Sequence, residues 1–75
     1  MITYNLYLGD DVMKVYLKEV RKQKKMTLMQ LEDLSGVSNS EIRDIENGIK
    51  TPRISTLYVL AKALQIPITA LFSCD

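Results

Sequence analysis

The chain has 75 residues, a formal net charge of +1, 47% hydrophobic and 25% charged residues, the balance of one small globular domain without room for a second, ligand-sensing one. With no histidine and one cysteine, Cys74 in the tail, it cannot assemble a zinc site, an internal disulfide or a Cys-His nucleophile. No glycine-rich phosphate loop is present either, so no enzyme, metal site or cofactor is expected. No apolar run nears the roughly 20 residues of a membrane span, and the start MITYNLYLGDD has neither the basic nor the long apolar region of a signal peptide, so the expected location is the cytoplasm.

Along the chain, Ile2, Tyr4, Leu6 and Leu8 alternate with Thr3, Asn5 and Tyr7, the period-2 pattern of a half-buried strand. Gly9 ends it. Asp10 or Asp11 is then a candidate cap for a helix carrying Met13, Leu17 and Val20, with Tyr16 alongside, at helical spacing. That helix ends among Lys22, Lys24 and Lys25. Two further helix starts are marked eleven residues apart, because Thr27 with Gln30 and Ser38 with Glu41 both fit the S/T-x-x-E/Q capping box. Gly36 and Gly48 stand where these two helices must stop, glycine being the residue that enters the left-handed conformation at least cost. Leu31, Leu34, Val37, Ile42 and Ile45 fall where two crossed helices share a core. Beyond Pro52, Leu57, Leu60, Ala61 and Leu64 line one side of a fourth helix. After Pro67, ITALF reads as a last short helix covering the core with Ile68, Leu71 and Phe72.

The segment TLMQLEDLSGVSNSEIRDIENG, residues 27–48, resembles the XRE or lambda-repressor-like helix-turn-helix family. The likeness extends to LKEVRKQKKMT before it, to the exit ENGIKTP and to LYVLAKALQIPITALF, about residues 12–72 in all. It implies an all-α, compact five-helix DNA-binding domain over residues 10–75; the strand-like alternation from Ile2 to Leu8 makes residues 1–9 a short extension that this domain does not need, and a candidate dimerisation strand. It also implies a buried ion pair between Arg21 and Glu46, since family members with this arginine and E-N-G pattern pair them and a buried carboxylate needs a partner. Three positions depart from the family pattern. Leu28 stands for the usual DNA-reaching glutamine, Glu32 for an alanine where the motif helices approach, and Lys25 for a frequent glycine.

In this fold the second motif helix enters the major groove with its N-terminal residues at base edges. Asn39 and Ser40 hold those positions, and Arg43 and Asp44 project from the same face one turn on. Asparagine suits adenine, arginine guanine, aspartate the cytosine amine, and serine several bases. Phosphate contacts fall to Thr27, Asn47, Lys50 and Arg53, around helix starts and the exit loop; Asn47 can instead shape its turn. Five of the nine acidic residues (Glu32, Asp33, Glu41, Asp44, Glu46) lie within the motif, whereas six of the ten basic ones (Lys14, Lys18, Arg21, Lys22, Lys24, Lys25) precede it. Because phosphate affinity is largely counterion release, a monomer so charged binds duplex DNA weakly, and a homodimer on a two-fold operator is expected. The leading expectation is a sequence-specific transcriptional repressor. The alternatives are a protein-interaction module that kept the fold and lost DNA binding, which the acidic motif and Leu28 would permit, or an antitoxin that binds both a toxin and its own operator, which resembles many single-domain members of the family.

Overall fold

The computed structural model describes residues 13–74. The expected N-terminal strand at residues 2–8 lies outside them. A short strand β1 (Met13–Val15) leads into α1 (Leu17–Gln23), α2 (Leu28–Ser35), α3 (Asn39–Glu46) and α4 (Ile54–Leu64); a single 3-10 turn (Ile68–Ala70) and strand β2 (Phe72–Cys74) follow. Strands β1 and β2 pair antiparallel, with Met13 opposite Cys74, Lys14 opposite Ser73 and Val15 opposite Phe72. The Tyr16 amide extends this ribbon by donating to the Leu71 carbonyl at 2.7 Å.

Two expectations are corrected here. There are four α-helices among the described residues and not five, since ITALF forms one 3-10 turn and then a strand. A stretch this short cannot recover the cost of helix nucleation unless its neighbours support it, and here the next residues satisfy their backbone groups on β1. The first helix starts at Leu17, with Tyr16 at its N-cap and no side-chain cap bond, and not after Asp10 or Asp11. Residues 13–15 are drawn instead into the ribbon with β2.

Thr27 begins α2 with a complete capping box: its Oγ1 accepts from the Gln30 amide at 3.0 Å, and Gln30 Oε1 accepts from the Thr27 amide at 2.8 Å. At α3 only half of the expected box forms. Ser38 Oγ accepts from the Glu41 amide at 3.2 Å, while the Glu41 carboxylate faces Lys50. Gly36 (φ +80) closes α2 in the left-handed conformation, and Gly48 (φ +74) follows α3. A Cβ at either would meet no atom within 4 Å, so backbone conformation and not space calls for glycine. Lys25 adopts φ +56 without being glycine, preserving a turn that the sequence left in question.

The core gathers Leu17, Leu31, Ile42, Ile45, Leu57, Leu60, Ala61, Leu64 and Leu71. Each large aliphatic side chain among them contributes about 1.5–3 kcal/mol by leaving water. Leu28, Val37, Ile68 and Phe72 pack partly buried against this cluster. Leu34 does not join it. Despite its helical spacing from Leu31, it is 63% exposed.

Candidate nucleic-acid interface

Helix α3 is held from its inner side. Ile42 and Ile45 anchor it in the core, and at its end Arg21 Nε donates to Glu46 Oε2 at 2.7 Å and Nη2 to Oε1 at 3.1 Å. The two side chains are only 11% and 4% exposed. A bidentate fork of this kind fixes angle as well as distance. Arg21 Nη1 also donates to the Met26 carbonyl at 2.9 Å, so one guanidinium ties α1 to the turn before α2 and to the end of α3. Hydrogen bonding to Glu46 raises the Arg21 pKa above its ordinary value; desolvation opposes the rise and the charge of Glu46 adds to it.

With its inner side fixed, α3 turns the other side outward. Successive residues rotate by about 100°, so Asn39, Arg43, Ser40 and Asp44 span an arc of about 140° away from Ile42 and Ile45. Ser40 and Arg43 are exposed, and Asn39 and Asp44 are half-buried. Arg43 forms no ion pair among the described residues, which leaves its planar fork available. Thr27, Asn47, Lys50 and Arg53, the candidate phosphate contacts, are all exposed. The Thr27 side chain is spent on its capping box. The Asn47 side chain makes no hydrogen bond among the described residues. Lys50 Nζ lies 3.5 Å from Glu41 Oε2, an exposed pair at 54% and 32%.

Two of the departures from the family pattern lie on this surface. Leu28 packs partly buried against the core and supplies no polar group at the head of α2. Glu32 neither separates the helices nor stands idle: its Oε1 accepts from Asn39 Nδ2 at 2.9 Å across the Gly36 turn. Only the pairing of a wide carboxylate with an amide at the first position of α3 could have signalled this contact.

A helix-turn-helix family profile matches residues 17–71, most of the chain. The chain belongs to that family. Regulators built on it are non-catalytic DNA-binding proteins, which place the second motif helix in the major groove. Among curated relatives, an HTH-type transcriptional repressor RghR of Bacillus subtilis is 43% identical over 56 residues, covering 73% of this chain and 42% of that protein. An immunity repressor protein of Bacillus phage phi105 is 38% identical over 55 residues, covering 73% of this chain and 38% of that one. An HTH-type transcriptional regulator SutR of Escherichia coli is 32% identical over 57 residues, covering 76% of this chain and 32% of that one. The chain thus spans about two fifths or less of the length of these relatives. Among the described residues no helix is long and apolar enough to cross a membrane, and no group of residues could hold a metal ion.

Proposed function

We propose that the chain is a sequence-specific DNA-binding transcriptional regulator that acts as a repressor, binding a palindromic operator as a homodimer. The observation that carries this reading is the outward face of α3. Its inner side is locked by Ile42, Ile45 and the Arg21–Glu46 fork, while Arg43 and Ser40 stand exposed, Ser40 with only a long contact to the Ser38 hydroxyl at 3.5 Å. In this reading Asn39, Ser40, Arg43 and Asp44 meet base edges, and Thr27, Asn47, Lys50 and Arg53 meet the phosphates, Thr27 chiefly through backbone at the start of α2. The relatives named as repressors support the sign of regulation.

Selection of bound duplexes from a random pool at low salt tests the proposal. Recovery of a two-fold sequence bound with a steep salt dependence supports it. A second reading, a protein-interaction module or an antitoxin that binds a toxin, is favoured by one observation: Lys50, a candidate phosphate contact, is already engaged by Glu41. Absence of any duplex binding at low salt would support the interaction module over the repressor.

A further inference from the structure

The Asn39 amide nitrogen is engaged within its own protein. It donates to Glu32 Oε1 at 2.9 Å and lies 3.8 Å from Met29 Sδ, a weak acceptor. Met29 and Glu32 lie one turn apart on α2, so the two acceptors flank the same amide nitrogen. A carboxylate is an acceptor only, which settles the orientation of the amide: nitrogen and not oxygen must face Glu32. Oδ1 accepts no hydrogen bond among the described residues, and it sits at the first position of the helix that presents Ser40 and Arg43.

We propose that Glu32 is a positioning residue that makes Asn39 an acceptor towards DNA, so that Asn39 selects a base carrying an exocyclic amine, adenine N6 or cytosine N4. This rests on the reading that α3 enters the major groove. An unrestrained asparagine can offer donor and acceptor together and pair bidentately with adenine. With its nitrogen engaged on α2, it presents Oδ1 alone. The major-groove edges of guanine and thymine offer acceptors where adenine and cytosine offer an amine, so at the contacted position the first two are disfavoured and the last two are both accepted. Glu32 thereby sets specificity without touching the nucleic acid.

The test compares the full chain with Glu32→Ala, Glu32→Gln and Asn39→Ala. Each is titrated at low salt against a duplex that the parent selects from a random pool and against every single-base variant of it, after circular dichroism melts confirm that each variant is folded. The parent should prefer adenine or cytosine over guanine or thymine at one position by about five-fold or more. Asn39→Ala should erase that preference. Both Glu32 variants should relax it at the same position and leave the others unchanged, since alanine removes the acceptor and glutamine lets the amide sit either way round. If Asn39→Ala relaxes a position that both Glu32 variants leave intact, Asn39 reads the base but Glu32 does not position it, and the inference is overturned. A parent preference for guanine or thymine at that position overturns it equally. If Asn39→Ala alters no position, the underlying assignment of Asn39 to base reading has failed, and the inference falls with it.

Discussion

Arg21 joins three parts of the molecule, with two nitrogens on Glu46 and one on the Met26 carbonyl. Arg21→Ala leaves the Glu46 carboxylate buried without its charge partner, and the expected loss is about 3–5 kcal/mol, read as a lower denaturant midpoint. Because hydrogen bonding raises the Arg21 pKa, its contribution is fully present below the unfolded value and is lost only as pH climbs through the still higher folded value. Arg21 titration therefore adds no pH dependence across the neutral range, and a slope found there by chemical denaturation would have another source. The pairing was legible in the sequence through the family pattern. The Met26 contact was not, because a backbone carbonyl has no residue-type signature. Nor was the partner of Glu41 legible, since Lys50 comes within reach only when the exit loop folds back. That pair is exposed, so Glu41→Gln should change stability by no more than about 0.5 kcal/mol. It should tighten duplex binding about two- to five-fold at low salt, by releasing Lys50 and removing a charge that repels phosphate. Weaker binding by this variant would show that Lys50 needs Glu41 for its placement.

At the scale of the elements, the motif was legible because its signals are local: a cap three residues from its partner, a glycine at each end, and aliphatic residues at helical spacing. Gly36→Ala should cost about 1–2 kcal/mol through its left-handed conformation alone, since space for a Cβ exists. Lys25→Gly should do the reverse and raise stability by up to about 1 kcal/mol, because Lys25 holds φ +56 at a cost glycine would not bear. Thermal or urea unfolding of the two variants checks both signs. The ends of the chain were less legible for a physical reason. Residues 13–15 and 72–74 become strands only by pairing with each other, a contact between opposite ends of the sequence. Periodicity along either segment alone carries no trace of it. Met13 and Leu17 stand at a spacing that also suits a helix, and ITALF has the composition of one, so local reading gave a longer first helix and a fifth helix. Leu34 failed differently, as its spacing was helical but its direction was outward.

For the whole molecule, a net charge of +1 makes doubling of the contacts the simplest route to useful affinity. We propose residues 1–8 as the element that joins two copies. Deleting them should lower the self-association seen by equilibrium sedimentation, and a truncated chain that dimerises as tightly as the parent would move the interface elsewhere. Ile54 and Tyr58 on α4, 62% and 57% exposed, offer surface for that alternative. The claim on which the functional account depends is that α3 reads bases while the exit loop grips the backbone, and the two kinds of contact fail differently. Its most direct test is competition binding of Arg43→Ala and Lys50→Ala against a selected duplex, its single-base variants and a range of salt concentrations. The account predicts that Arg43→Ala costs about 1–3 kcal/mol and relaxes preference at one position, while Lys50→Ala weakens all sequences alike and lowers the salt slope by about 1. Uniform loss across every sequence for Arg43→Ala, or no loss at all, would contradict it.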